Sequence, residues 1–324
     1  MEKFVPNPIK IVAVTGPTAT GKTRLAVELA RRWGGEIVSA DSRQVYKYHD
    51  IGSGKDIGEY AEVPYHLIDI AEPGESYHLK AFLADARAAV ADIAARGKLP
   101  IVCGGSALYL HALLRNYELP GGTPDGDERA RIDATPLAEL QAELKRLDPN
   151  FYESFTDRDN FTRLRRQVEM RRHPAAGDAG IALTALTLGV LYPRETVRRR
   201  IAERLDARLA AGLIEEVKAL HERHGMSWAQ LEFLGLEYRY VAEFLQGRRD
   251  FADMRETLLN NIRQFAKRQD IFFRKMEREG VPIYWLDNGD AEAASCLIGA
   301  FLANEELAPP AFRLADHKNP DLSK

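Results

Sequence analysis

The sequence predicts an α/β fold, a parallel sheet flanked by helices and carrying a helical insertion, and three observations carry the prediction. Residues 12–30, "VAVTGPTATGKTRLAVELA", match G-x-x-x-x-G-K-[ST] completely, with Gly16, Gly21, Lys22 and Thr23 set between an apolar run and an amphipathic one. That is the setting of a phosphate-holding turn between a strand and a helix. Short β-branched runs alternate with helical patterns in the N-terminal part of the chain, and such alternation implies parallel strands joined by right-handed crossovers. The composition then shifts at residues 119–133, "LPGGTPDGDERARID", where prolines, glycines and acids mark a boundary. Together these describe a P-loop NTPase-like core interrupted by an insertion.

Taken in order, "IKIVAVT" at 9–15, "EIVS" at 36–39 and "KLPIVCGGS" at 98–106 are expected strands, with helices at 22–33 and 78–96 between them. Ligands of such sheets collect at the carboxyl ends of the strands, which would bring the 16–23 loop, Asp41 and residues 104–106 together. From the boundary to about residue 175 the pattern is helical and charged, and "IALTALTLGVLYP" at 181–193 is a further strand. A long helical stretch follows over 194–224, more helices run to about residue 279, and "VPIYWLD" at 281–287 is the last expected strand. The polar, proline-bearing tail, 305–324, is expected to be disordered. The division that results is a catalytic core at 1–120 and 181–290 and a helical insertion at 121–180.

The length of 324 residues is ample for a buried core. No apolar run approaches the roughly 18 residues that span a bilayer, and "MEKFVPNPIK" lacks the apolar stretch of a secretory signal. A cytoplasmic, membrane-free monomer is the expectation. The two cysteines, Cys103 and Cys296, have no C-x-x-C spacing, which points to neither a disulfide framework nor a cysteine zinc site. The net charge of −3 hides an uneven distribution, with basic runs at 163–172, "RLRRQVEMRR", 194–208, "RETVRRRIAERLDAR", and 263–275, "RQFAKRQDIFFRK". Any one of these is readable as a solvated helix face; three in one half of a slightly acidic chain suggest a surface that tracks a phosphate backbone.

In a turn of this type the backbone N–H groups converge on one concavity and the helix N-terminus adds partial positive charge. Gly16, Thr18, Ala19, Thr20, Gly21, Lys22 and Thr23 thus form an anion cradle, in which Lys22 supplies a full charge and the Thr23 hydroxyl is placed to reach Mg²⁺ on the same phosphates. The motif leaves open whether the polyphosphate is a phosphoryl donor, an energy source or a leaving group. Asp41, in "SADSRQVYKYHDIGSGKD" at 39–56, has two functional readings: it helps to hold Mg²⁺, or it accepts a proton from an attacking nucleophile. A helix cap is the plain structural alternative.

The pieces "GPTATGKT", "SADSRQVYK" with "DIGSGK", "PYHLIDI", "GGSALYLHALL" and "RQFAKRQDIFFR" occur in that order from about residue 9 to 287, and this set resembles the tRNA dimethylallyltransferases (tRNA isopentenyltransferases) of bacterial type. The resemblance implies that the loop holds the pyrophosphate of dimethylallyl diphosphate while the exocyclic amine of an adenosine in the tRNA anticodon loop attacks the allylic carbon. It implies that Asp41 is the general base, that Thr18 and Thr23 contact the diphosphate, and that Arg204 reaches the phosphates from outside the loop, Lys22 joining them in neutralising the leaving group. It further implies tRNA contacts at Asp41, Ser42, Arg43 and Gln44, at Ser106, around Arg129, at Thr162, Arg163, Arg165 and Arg166, and in "EFLGLE" at 232–237. The basic run adds Lys267 and Arg268 to that surface.

The chain departs from the family pattern at Ser53, Gly54, Lys55 and Asp56, where T-A-K-P is usual, and at Leu236 and Glu237, where Gly-Tyr is commonly followed by a base. An acid at 237 facing RNA would be repulsive. An adenylate isopentenyltransferase acting on free AMP, ADP or ATP shares the loop but needs no tRNA-gripping insertion. A small-molecule kinase would turn over ATP and not dimethylallyl diphosphate. A non-catalytic RNA-binding module has no use for Lys22, Thr23 and Asp41 together.

Overall fold

The computed structural model describes residues 8–117, 126–173 and 180–316. The described residues divide into two compact units, one within 1–116 and 181–324 and the other within 117–180. The larger unit begins with β1 (Ile9–Thr15), α1 (Lys22–Trp33), β2 (Gly35–Ser39), β3 (Tyr65–His66), α2 (Leu79–Ala95), β4 (Leu99–Cys103) and α3 (Ala107–Leu114). The smaller unit holds α4 (Gly126–Asp133), α5 (Leu137–Leu147), α6 (Pro149–Ser154) and α7 (Phe161–Arg172). The chain then re-enters the larger unit as β5 (Leu183–Leu191), α8 (Arg194–Ala210), α9 (Leu213–Glu222), α10 (Trp228–Leu234), α11 (Leu236–Leu245), α12 (Phe251–Arg278), β6 (Ile283–Asp287) and α13 (Ala291–Leu302).

Among the described residues the strands form one parallel sheet in the order β3-β2-β4-β1-β5-β6. β1 lies in the interior, with Val12 opposite Ile101 on one side and Leu186 on the other. Its β-branched residues are buried on both faces, as parallel strands covered by helices must be. The chain order reverses direction around β1, so the crevice at the strand carboxyl ends opens beside the loop that leaves it. Leu25, Leu29, Ile298 and Phe301 of α1 and α13 pack with one part of the core, while α8, α9, α11 and α12 build a second around Ile201, Val217, Val241 and Ile262. The smaller unit has its own apolar centre in Ile132, Leu140, Leu144, Leu164 and Val168.

Several expectations need adjustment. The helical stretch at 194–224 is two helices, broken where Gly212 adopts φ 101°. β3 is too short to show a periodic pattern, α3 is a short, almost wholly apolar helix in a stretch given no element, and α13 lies in a stretch assigned to neither core nor tail. Residues 305–316 do not fit the expected disordered tail, while 317–324 lie outside the described residues. Leu314 is 2% exposed, and its N–H and that of Ala315 donate to the Glu277 carboxylate at 3.2 and 2.7 Å. The Trp285 indole donates to the same carboxylate at 2.8 Å. Composition misleads there because one buried acid supplies acceptors for three donors, two of them in the tail.

Glu277→Ala would leave those donors without their acceptor, at a cost of about 3 kcal/mol given roughly 1–3 kcal/mol for each unsatisfied buried group. Urea unfolding should show that loss, and limited proteolysis should cut residues 305–316 faster. An unchanged midpoint and cleavage rate would show that the tail is held by other contacts.

Candidate active site

A cleft of about 1040 Å³ lies within the larger unit, lined by the phosphate loop, the segments after β2 and β4, and faces of α8, α11 and α12. The loop runs from β1 into α1 with Gly16 at φ 153° and Gly21 at φ 75°. Thr20 donates its hydroxyl to the Pro17 carbonyl at 2.8 Å, which pins the turn and gives that side chain a structural role. The Thr18 N–H donates to Gln269 Oε1 at 2.8 Å, and Gln269 Nε2 donates to the Gly105 carbonyl at 2.8 Å. One amide from α12 therefore joins the loop after β1 to the loop after β4.

Lys22 enters the cleft at the first residue of α1, half-buried, and burial holds its ammonium below the ordinary lysine value. The Cys103 thiol beneath it is pushed up to about 12, chiefly by burial, and so stays neutral. Arg204 donates to the Thr18 hydroxyl. Burial, with the nearby Arg208 adding to it, brings Arg204 down to about 10. Arg208, one turn on along α8, contacts the Gly52 carbonyl and the Glu237 carboxylate, both at 3.4 Å. Gly54, at φ 64°, makes room for it: a Cβ there would sit 1.7 Å from an Arg208 nitrogen. The departure at residue 54 and the acid at 237 thus share an explanation, because both accommodate Arg208, and Glu237 is only 8% exposed.

Asp41 follows β2 and lines the cleft. Its Oδ1 accepts the Arg43 N–H at 2.9 Å, which fixes the carboxylate and leaves Oδ2 for a further partner. The Ser42 N–H donates to Ser106 Oγ at 2.9 Å, and the Arg43 guanidinium donates to the Leu234 carbonyl. Gly104 permits this contact between loops, since a Cβ there would lie 2.1 Å from the Ala40 oxygen. Gln44, expected at an RNA surface, is 9% exposed and ties loops together, accepting from Ser39 at 2.9 Å and donating to the Gly54 carbonyl at 3.0 Å. Glu216 of α9 accepts the N–H groups of Asp50, Ile51 and Gly52 at 2.8, 2.6 and 3.0 Å, so the segment that Arg208 touches is also fixed.

The structure thus gathers Thr18, Lys22, Thr23, Asp41, Ser42, Arg43, Ser106, Arg204 and Arg268 on one cleft. It separates Lys267 from Arg268: consecutive residues of α12 point about 100° apart, and Lys267 lines a second cavity instead. Arg129, Thr162, Arg163, Arg165 and Arg166 belong to the smaller unit. There Arg163 pairs with Asp157, Arg165 with Asp133, and Glu169, 1% exposed, lies 3.2 Å from Arg166 and 4.0 Å from Arg129. Thr162 is exposed. Gln269 and Arg208 are the site residues that sequence reasoning missed; Arg208 was findable from its four-residue spacing from Arg204, whereas nothing local marks Gln269.

The IPP transferase family model matches residues 44–276, and an isopentenyl transferase model matches residues 9–63. A tRNA dimethylallyltransferase 2 of Pelobacter propionicus is 46% identical over 283 residues, covering 86% of this chain and 90% of that relative. A tRNA dimethylallyltransferase 1 of Syntrophus aciditrophicus is 45% identical over 294 residues, covering 87% and 95%. Among solved structures, the full-length tRNA isopentenylpyrophosphate transferase of Bacillus halodurans superposes with a TM-score of 0.67 at 31% identity, covering 91% of this chain and 96% of that one. A eukaryotic dimethylallyltransferase acting on tRNA shares the fold, with a TM-score of 0.78 at 23% identity over 92% of this chain and 80% of that one. With a phosphate loop, a following acid and an outlying arginine on one cleft, and with these relatives over most of its length, the chain belongs to the IPP transferase family.

Proposed function

We propose that this protein transfers the dimethylallyl group of dimethylallyl diphosphate to the N6 amine of the adenosine 3′-adjacent to the anticodon in tRNA, releasing pyrophosphate. The observation that carries this reading is the shared cleft, in which Asp41 faces the same space as Lys22, Thr18 and Arg204. The diphosphate rests against the loop amides and Lys22, with Arg204 on its outer side, where a planar fork can pair two phosphate oxygens. The allylic C–O bond breaks and its electron pair leaves on pyrophosphate; the N6–C bond forms, and the amine proton passes to Asp41. Charge grows on the leaving oxygens, so fixed cations there stabilise the transition state more than the ground state. The target base must leave its stack to reach Asp41.

Among the described residues no group of three or more His, Cys, Asp or Glu side chains is placed to hold a metal. Mg²⁺ would be held largely by the diphosphate oxygens, as is common for this ion, and the Thr23 hydroxyl, on the same cleft, is the protein group that would reach it. Mg²⁺ would supply further neutralisation of the leaving group. No described helix is long and apolar enough to cross a membrane; a cytoplasmic place of work is part of the proposal and rests on tRNA as the acceptor. The relatives' names favour tRNA over a free adenine nucleotide as acceptor, and labelled dimethylallyl diphosphate offered with unmodified tRNA, AMP or ATP tests this directly: label on AMP or ATP alone would overturn the choice.

Asp41→Ala should lower kcat by about 10²–10⁴-fold, the usual contribution of a positioned general base, with tRNA affinity within a few-fold of the parent. Full activity would remove Asp41 from the mechanism. Lys22→Ala should raise KM for the diphosphate and lower kcat together, because its charge acts on substrate and leaving group alike; an unchanged KM would place the diphosphate elsewhere. For the RNA grip, changing Arg163, Arg166 and Arg268 together to Ala should flatten the log–log salt dependence of tRNA binding by about 2–3 units, at roughly 0.7–0.9 per phosphate contact. If Arg163 and Arg166 serve only their acids and Arg268 makes no RNA contact, the slope will match the parent.

A further inference from the structure

α12 presents opposite faces to two cavities. Ile262, Phe265, Arg268 and Gln269 line the cleft, whereas Arg263, Lys267, Asp270 and Arg274 line a second cavity of about 410 Å³. At 100° per residue those two sets lie on nearly opposite sides of the helix. The second cavity backs onto the phosphate loop through Pro17 and Thr20, and α8 closes its other side with Arg194, Val197, Arg198 and Ile201. Its size falls within the range of small-ligand pockets.

The charge in this cavity is lopsided. Arg194, Arg198, Arg263, Lys267 and Arg274 face it, and Asp270 is the only acid on the lining. Arg198 also has Glu195 at 3.3 Å, but that acid is itself exposed and off the lining. The Arg263 Nε–H is buried and donates no hydrogen bond among the described residues, although a buried donor without an acceptor costs stability unless something else supplies one. Cations converging from two helices on one concavity, with an orphaned guanidinium nitrogen among them, are the arrangement that a tetrahedral oxyanion completes.

We propose that this second cavity is a phosphate-binding site, distinct from the one that holds the transferring diphosphate. Its position on the face of α12 turned away from the cleft favours a small phosphate or diphosphate free in solution over a phosphate of the RNA acceptor. An anion there joins the start of α8, which carries Arg204, to the segment of α12 that carries Gln269, and so braces the back of the phosphate loop. The existence of the site does not depend on the transferase reading; only the alternative source, an RNA phosphate, rests on it.

The test is calorimetric titration with inorganic pyrophosphate, without RNA, of the full chain and of two variants. The parent should show two sites, Lys22→Ala should keep only the second, and Arg263→Gln with Lys267→Gln should keep only the first, its affinity for the other falling by about tenfold or more, as expected for lost charge-assisted hydrogen bonds. Arg194→Gln, on the other helix, should weaken the same site, which guards against misfolding of the double variant as the cause. In parallel, the salt dependence of tRNA binding is compared between the parent and the double variant. A second pyrophosphate site with an unchanged slope supports the free anion. A slope flattened by about 1.4–1.8 assigns the cavity to an RNA phosphate. A single pyrophosphate site that Lys22→Ala abolishes, together with an unchanged slope, overturns the proposal, and labelled tRNA in the transfer assay would leave the enzymatic reading standing.

Discussion

The Gln269 side chain holds the phosphate loop and the loop after β4 at a set separation, and the rest of the cleft is arranged around that bridge. Thr18 N–H and Gly105 C=O lie 251 and 164 positions from it in sequence, and both are buried. A primary amide donates and accepts at once, so it satisfies both backbone groups without bringing a negative charge beside the cations Lys22 and Arg204 that line the cleft. A carboxylate at this position would satisfy the N–H but leave the carbonyl unpaired. The bridge also sets the rotation of α12, and with it which residues of the "AKRQ" segment face the cleft and which face away.

Around that frame the electrostatics are deliberately one-sided. Arg204 and Arg208 stand one helical turn apart, and the first is held well below the ordinary arginine value because it is desolvated beside the second. Lys22 is desolvated as well, and the thiol under it is neutral. Such a cluster is uncomfortable by itself and is relieved by an anion with several oxygens. Glu237 limits the repulsion by taking Arg208, which explains how an acid sits safely where the family usually carries a base. In the proposed reaction the same cluster would serve catalysis, because a leaving pyrophosphate presents more charge than the diphosphate ester it comes from.

The smaller unit illustrates how a basic run can overstate a surface. α7 carries five arginines in twelve residues, yet Arg163, Arg165, Arg166, Arg171 and Arg172 all have acidic partners within the unit. Ion pairs of this kind contribute little stability singly when exposed, but they orient side chains. Those arginines remain available to RNA only to the degree that a phosphate outcompetes a carboxylate. Arg268 lines the cleft, where its guanidinium lies over the Phe265 ring, and has no ion pair among the described residues.

The sequence by itself determined the parallel α/β core, the phosphate loop and the acid that follows β2, because each depends on local chemistry. Glycines permit the loop turn, β-branched runs bury both faces of the strands, and a charged lysine and a hydroxyl at fixed spacing have no cheaper explanation than an anion. It also identified most of the chain's boundaries, missing β3, α3 and α13, which are too short or too weakly patterned to stand out. What only the tertiary structure decided are relations between distant segments: Gln269 on the loop, Arg208 in the space over Gly54, Gln44 turned inward as a tie, Glu277 holding the tail, and Lys267 and Arg268 on separate faces. None of these leaves a local trace, since a buried amide or a paired arginine has the same letter as an exposed one, and which it becomes depends on what the fold carries up beside it.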